Sequence, residues 1–95
     1  MKVGIMQIRL HAPWVRSLKE KRMIVQSLVD RTKRKFNVSI AEVDGQDTHQ
    51  SIVLGIACVA GNSAHGDSIL EHVTSFIENS TEAEITGIER ESITY

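Results

Sequence analysis

Four basic residues crowd the start of a predicted helix. Arg16, Lys19, Lys21 and Arg22 lie within seven positions, and Glu20 is the one acid among them. A helix N-terminus carries partial positive charge, so bases there are disfavoured by roughly 0.3–1 kcal/mol at low salt. The same side chains, together with the free backbone N–H groups of the first turn, would bind an anion such as phosphate. The spacing therefore predicts an anion site, and a solvated charged helix face is the alternative interpretation.

The rest of the chain is acidic. Eight of the eleven Lys and Arg residues lie in residues 16–36 against two acids, which gives that stretch a net charge of +6. Residues 37–95 contain ten acids and one base, a net charge of −9, and the total is −1. Phosphate backbones are bound mainly through positive charge, so one basic element on an acidic remainder favours a surface for nucleic acid.

The expected phosphate contacts follow the helix along its length. We predict that Arg16, Lys19 and Arg22 are the main contacts and that Arg34 and Lys35 extend them. The bases near the end of the helix also have a structural explanation, because they suit the negative end of the helix dipole.

Trp14 lies in the predicted loop just before the basic helix. A tryptophan in a loop can stack on a base or fill a pocket of a partner. The alternative is that it folds over the edge of the helix. The other aromatic residues, Phe36, Phe76 and Tyr95, lie outside the middle of the predicted central strands. Base stacking on the sheet face is therefore not predicted.

The sequence gives little support to enzymatic chemistry. An acylphosphatase-like phosphate loop needs glycines and backbone N–H donors after the first strand, whereas residues 12–16 contain no glycine and Pro13 removes a donor. Only Arg16 fits that role. No nucleophile–base pair is apparent, and Cys58 lies in the middle of a predicted buried strand. We predict no catalytic residue and keep a phosphate-handling enzyme as a third hypothesis.

The metal-like side chains do not form a recognisable site. His11, Asp44, Asp47 and His49 are types that ligate hard or borderline cations. Their spacing matches no known signature, and Asp44-Gly45-Gln46-Asp47 is explained as a hairpin turn. We therefore predict no metal and no cofactor. Gln46 and Asp47 are expected to hydrogen-bond into the first loop.

Apolar periodicity places these residues on a βαββαβ chain. Strands are predicted at 2–11, 38–43, 51–60 and from Thr81 onward, and the last strand is predicted to contain a bulge at Gly87. The first helix is predicted to begin with the capping box Ser17 to Glu20 and to end near Lys35. The second helix is predicted to follow residues 61–63. This order predicts a ferredoxin-like α+β fold over residues 1–95 as a single domain. Its four-stranded antiparallel sheet would carry both helices on one face.

The other sheet face is predicted to be open and apolar. Ile5, Val53, Ala57 and Val59 would lie on it, and an exposed apolar face of this kind is typical of a partner surface. A homodimer is the simplest expectation, and the alternative is that neighbouring side chains bury these residues. On the helix face, Lys21 projects near the apolar stripe, so we predict a partly buried ion pair with Glu42.

Several segments of the chain resemble the bacterial YlxP-like family, a family of unknown function. The resemblance is carried by His11-Ala12-Pro13-Trp14, Ser17-Leu18-Lys19-Glu20-Lys21-Arg22, Phe36-Asn37-Val38-Ser39, Ala41-Glu42-Val43-Asp44 and Gln46-Asp47. It runs through residues 1–79 and is close in the first sixty. The resemblance implies the same fold and no established activity or cofactor. Genes of the family often lie beside those of translation and ribosome-maturation proteins, which implies work near the ribosome.

Together these observations predict a non-catalytic, RNA- or ribosome-associated accessory protein that contacts phosphates through its first helix. The alternative function is a homodimeric structural or regulatory module that binds a protein or a small ligand through its open sheet face. No apolar run resembles a signal peptide or a membrane span, and one cysteine excludes an internal disulfide. We therefore expect a cytoplasmic protein.

Overall fold

Alternation of apolar side chains builds a four-stranded sheet with two helices on one side. The computed structural model describes residues 1–45 and 48–95. Its elements, in chain order, are β1 (Lys2–His11), α1 (Leu18–Lys35), β2 (Ser39–Asp44), β3 (Ser51–Ala60), α2 (Ser63–Ser80) and β4 (Glu84–Thr94). The strands are antiparallel and lie in the order β2-β3-β1-β4. The predicted βαββαβ order and ferredoxin-like fold are confirmed.

The core lies between the helices and one face of the sheet. Met6 pairs with Ile56 and Ile8 with Leu54 across β1 and β3, so their side chains point to the same face. The buried core residues on the four strands and two helices include Met6, Ile8, Leu10, Leu28, Ile40, Ile52, Leu54, Ile56, Leu70, Val73 and Ile77. Burial of these side chains removes enough apolar surface from water to fix the register of the two central strands.

The capping residues fix where α1 begins. The Ser17 hydroxyl accepts a hydrogen bond from the Glu20 backbone N–H at 3.1 Å, as the capping box predicts. The capping box also predicts that the Glu20 carboxylate accepts from the Ser17 backbone N–H. In the structure it accepts from the backbone N–H of Arg16 instead, at 3.4 Å. One of the two predicted capping-box bonds is therefore made, and Glu20 binds the backbone of the residue before the cap in place of the other.

Two strand boundaries differ from the sequence prediction. β2 is Ser39–Asp44, one residue later than expected, and β4 begins at Glu84 rather than Thr81. β4 begins later than predicted because α2 continues to Ser80 and a short turn follows it. In that turn the Thr81 hydroxyl accepts from the backbone N–H of Ala83 at 3.1 Å. The bulge predicted at Gly87 is confirmed in position, since the β1–β4 register shifts between Arg9 and Leu10, opposite Gly87 and Ile85.

The second sheet face carries no helix. On it, Val3 pairs with Val59 and Ile5 with Ala57 across the central strands. Val59 remains 65% exposed. Within residues 1–45 and 48–95, neither helix is apolar enough over a sufficient length to cross a membrane.

Candidate phosphate-binding surface

Lys21 is a structural residue rather than a ligand contact. Its ammonium lies 2.9 Å from Glu42 Oε2 and donates to the backbone carbonyls of Thr48, at 2.7 Å, and Gly45. Lys21 is 1% exposed. Glu42 Oε2 is buried without a well-directed hydrogen bond among the described residues, so its contact with the ammonium is ionic. The predicted Lys21–Glu42 ion pair is confirmed, and it leaves Arg16, Lys19 and Arg22 as the solvent-facing bases at the helix start.

The loop before α1 is held by Gln50. The Gln50 side-chain amide donates to the backbone carbonyls of Pro13 at 3.0 Å and Val15 at 3.3 Å. The backbone carbonyl of Gln50 accepts from the Ala12 backbone N–H at 2.9 Å. These three bonds flank Trp14 on both sides, and its side chain is 43% exposed. The loop therefore presents Trp14 from a fixed backbone beside the basic helix start.

Gln50 makes the kind of contact that the sequence led us to expect of Gln46 and Asp47. Those two residues lie outside the described part of the chain. Gln50 was missed because an amide just before a strand has no signature of its own. Its role depends on the distance between the two loops, which only the folded chain sets.

The exposed bases of α1 share one face of the helix. At 100° per residue, Lys19, Arg22, Lys33 and Arg34 project within an arc of about 120°. All four side chains are exposed, and Arg16 is exposed immediately before them. We call these five residues the basic face. Its two ends lie about 22 Å apart along the axis, since fifteen residues separate Lys19 from Arg34.

Lys35 belongs to the other side of α1. It projects about 160° from Lys19 around the helix, and its ammonium lies 5.2 Å from the centroid of the Phe76 ring on α2. The Arg31 guanidinium lies 5.9 Å from the same centroid and donates to the Ser80 carbonyl at 3.2 Å. Lys35 was expected to extend the phosphate contacts. In the structure Lys35 is exposed, but its ammonium lies beside an aromatic ring, whereas Arg34, which was predicted with it, lies on the basic face together with Lys33.

The basic face keeps its charge. Among the described residues, the ion pairs shorter than 4 Å are Lys21–Glu42 and Arg90–Glu71. Asp30, the acid that projects within the same arc, accepts a hydrogen bond from the Gln26 side chain at 3.0 Å. No base of the basic face therefore lies within 4 Å of a described acid; Asp30 offsets one of its five positive charges, and the net local field favours an anion.

The remaining chemistry-bearing side chains are separate from one another. Within residues 1–45 and 48–95, no three His, Cys, Asp or Glu side chains come together as a metal site would require. Asp47, one of the four metal-like residues considered from sequence, lies outside these ranges. Cys58 is buried in β3, where the sequence placed it. His65 and His72 are exposed on α2, and His72 Nδ1 contacts the Ser68 carbonyl at 2.7 Å.

The residues proposed for a dimer face occupy the open side of the sheet, with one difference. Ile5 and Ala57 are half-buried neighbours, and Val59 is strongly exposed. Val53 is only 2% exposed. It lies beneath the β2–β3 connection, where a Cβ built on Gly45 would be 3.9 Å from Val53 Cγ2. Val53 is therefore covered within the chain and contributes little surface to a partner.

A groove crosses the open face that sequence reasoning did not anticipate. Its volume is about 490 Å³, and its lining includes the small residues Ser39, Ala41, Gly55 and Ala57 and the acids Glu89 and Glu91. Glu89 pairs with Gln7 and Glu91 with Ile5, so both carboxylates stand on the open face of the edge strand β4. The two-residue spacing of Glu89 and Glu91 indicates that both side chains lie on one face of the strand. Because a bulge was predicted in that strand, the sequence did not tell us which face.

Solved structures support the fold. The chain is similar to a de novo designed protein with a ferredoxin fold, LFR1, at a TM-score of 0.58 and 18% identity, over 100% of this chain and 87% of that one. It is also similar to the designed protein Foldit4, at a TM-score of 0.51 and 14% identity, over 99% and 97% of the two chains. At such low identity these likenesses concern the fold alone.

Sequence comparison identifies the family. Residues 3–90 match the family model described as protein of unknown function DUF503. The uncharacterized protein YlxP of Bacillus subtilis (strain 168) is 41% identical over 70 residues, which are 74% of this chain and 76% of that protein. The family match over residues 3–90 includes the basic helix and the loop that carries Trp14. This chain therefore belongs to the DUF503 family, which includes YlxP.

Proposed function

We propose that the protein is a non-catalytic accessory protein that binds RNA through phosphate contacts on the basic face. The observation that carries the proposal is that Arg16, Lys19, Arg22, Lys33 and Arg34 are exposed on one side of α1 and unpaired with any described acid. Four bases lie within about 120° of arc on the helix. The acidic remainder of the chain already supplies the exposed charges that keep a protein soluble, so solubility alone does not explain this cluster.

The binding mode follows from the chemistry of the face. Arg presents a planar fork that matches phosphate oxygens, and Lys supplies a compact point charge. The caps at Ser17 and Glu20 already engage the backbone N–H groups of Glu20 and Arg16. The five basic side chains supply the full positive charges of the face, and the helix terminus adds only a partial charge. Such contacts position a nucleic acid without reading base edges.

Trp14 supplies a feature that a purely electrostatic surface lacks. It stands in the fixed loop beside Arg16, half exposed, where an unpaired base could stack on the indole. This favours RNA with single-stranded loops or bulges over regular duplex DNA, whose bases are stacked inside the helix. We assign the target to the translation machinery because genes of YlxP-like proteins lie beside translation genes, and we propose a cytoplasmic location accordingly.

The test is a titration against a structured RNA containing an unpaired loop and against duplex DNA, at about 50 and 200 mM salt. With about four phosphate contacts, RNA affinity should fall about a hundredfold between these concentrations. The double variant Lys19→Gln/Arg22→Gln should weaken binding and reduce the slope of log affinity against log salt by about 2. RNA affinity that is unchanged by salt would overturn the proposal.

A matched control lies on the same helix. Arg31→Gln/Lys35→Gln removes the same two charges, but from the side of α1 that faces Phe76. This variant should keep most of the RNA affinity if the exposed face makes the contacts. Equal losses in the two double variants would mean that net charge, and not the basic face, determines binding.

A second candidate function is a homodimeric structural or regulatory module formed through the open sheet face. The observation that favours it is the exposed apolar surface of Val59, Ile93 and Val43 around the groove on the helix-free side. Exposed apolar side chains spread across one sheet face are typical of a partner surface. The two functions use different surfaces, which meet at Lys33: it lies on the basic face and also lines a cavity with Ser39 at the β2 edge of the sheet.

A further inference from the structure

We propose that two copies pack their open sheet faces together about a two-fold axis parallel to the strands. The inference rests on the homodimer proposed above and specifies its geometry. In this arrangement β1 of one copy lies over β3 of its partner, and β4 lies over the partner's β2, because the sheet order is β2-β3-β1-β4. Aligned packing of this kind is one of the two usual ways in which sheets stack.

The register places large side chains over small ones. Ile5 pairs with Ala57 and Gln7 pairs with Gly55 within one sheet. The two-fold axis would set Ile5 over the partner's Ala57 and Gln7 over the partner's Gly55, and each contact would occur twice. Large residues opposite small ones let the two layers interdigitate without voids. The groove over Gly55 and Ala57 would then hold β1 side chains of the partner.

Charge complementarity points to the same axis. Glu91 lies on one rung with Ile5, Ala57 and Ser39 across the four strands. The axis would therefore bring Glu91 over the partner's Ser39. Lys33 lines a cavity with Ser39 at this edge of the sheet. Each copy would thus set Glu91 against the partner's Ser39, at the edge of the sheet where Lys33 lies.

An axis perpendicular to the strands fits less well. It would place β4 over the partner's β4 and bring Glu89 and Glu91 close to the same two carboxylates of the other copy. Four acids at one contact repel one another. It would also set β1 over β1, where Ile5, Gln7 and Arg9 all point outward and leave no small residue to receive them.

The available area is sufficient for a modest dimer. Four strands of six to eleven residues, spaced about 4.8 Å apart, cover about 600 Å². Two such faces would bury about 1,200 Å² in total, at the lower end of the range for specific interfaces. We therefore expect a dimer that dissociates on dilution rather than an obligate dimer.

The test is a charge exchange followed by sedimentation equilibrium. Glu91→Lys and Lys33→Glu should each weaken the dimer about tenfold, because each sets like charges together. The double variant should regain most of the affinity. In one chain the two residues lie near opposite edges of the sheet, so recovery can arise only between copies. A dimer that both single variants weaken and the double variant fails to restore would overturn the proposed axis and leave the homodimer standing.

Two further variants test the homodimer itself. Val59→Asp should dissociate any dimer formed through the open face, whereas Met23→Asp, an equally exposed position on α1, should leave it intact. Circular dichroism confirms that each variant is folded. A wild-type chain that remains monomeric up to about 1 mM would overturn both the axis and the homodimer. The face would then be free for a protein or small-ligand partner.

Discussion

The Lys21 ammonium lies 2.9 Å from Glu42 Oε2 in a nearly solvent-free site between α1 and β2. The same ammonium also donates to the backbone carbonyls of Gly45 and Thr48, which both lie in the connection between β2 and β3. One buried charge therefore joins the basic helix to the loop that supports Trp14. It fixes the elements that carry the basic face while contributing no charge to its surface.

Removing one member of this pair should strongly destabilise the fold. Lys21→Ala leaves the Glu42 carboxylate buried without its counter-charge, and we expect the free energy of unfolding to fall by about 3–5 kcal/mol. Urea denaturation followed by circular dichroism measures this. The double variant Lys21→Met/Glu42→Met removes both charges at similar volume and should recover most of the loss. A single-variant loss below about 1 kcal/mol would show that the pair is not structural.

Trp14 offers a direct optical test of RNA contact. It is the one tryptophan of the chain, so fluorescence excited at wavelengths that Tyr95 does not absorb reports on this loop alone. Loop-containing RNA should quench that fluorescence, and Trp14→Ala should weaken binding by about 1–3 kcal/mol if a base stacks on the indole. Trp14→Phe should retain much of the affinity because it keeps an aromatic face. Unchanged RNA affinity in Trp14→Ala would assign this residue to packing or to another partner.

Neighbouring bases at the end of α1 should behave differently. Arg34→Gln should weaken RNA binding and lower the salt slope by about 1, because Arg34 lies on the basic face. Lys35→Gln should leave the slope nearly unchanged and lower stability by about 0.5–1 kcal/mol, since its ammonium contacts the Phe76 ring. Salt titrations and urea denaturation of both variants separate the two roles. Identical slopes in the two variants would contradict the division of the helix into two sides.

The side chain of Val43 leaves no room for a side chain at Gly55, and the effect of this close contact on stability can be measured. A Cβ built at this position would lie 2.7 Å from Val43 Cγ1. Gly55→Ala should therefore destabilise the protein by about 1–3 kcal/mol through overpacking. In a Val43→Ala background the same change should cost at least about 1 kcal/mol less, because the clash is removed. Equal costs in the two backgrounds would mean that backbone conformation, rather than Val43, excludes a side chain here.

Much of the fold could be predicted because each element carries a local signal. Alternation in residues 2–11 and 51–60 gave the faces of both central strands, and the Ser17 capping box gave the start of α1 within one residue. The Lys21–Glu42 pair followed from the angle at which Lys21 leaves the helix. The boundary between α2 and β4 was predicted less well. The turn at Thr81 depends on a single hydrogen bond, from the Ala83 backbone N–H to the Thr81 hydroxyl, and no sequence pattern marks that bond.

The candidate surfaces depended more on tertiary placement. Charge segregation alone indicated a basic helix, but it could not show that the exposed Lys35 lies beside Phe76, forty-one residues away. Val53 was assigned to an exposed face when the β2–β3 connection covers it. Gln50 and the acidic wall of the groove had no sequence signal that we could use.

The sequence by itself determined the element order, the buried faces and the location of positive charge, because periodicity and composition are properties of neighbouring residues. Only the tertiary structure decided which bases remain free, which apolar residues stay exposed and which loops touch. Those outcomes depend on contacts between segments distant in the chain, such as Gln50 with Pro13 and Lys35 with Phe76. A side chain's partners are set by the packing of whole elements, and no local pattern encodes that packing.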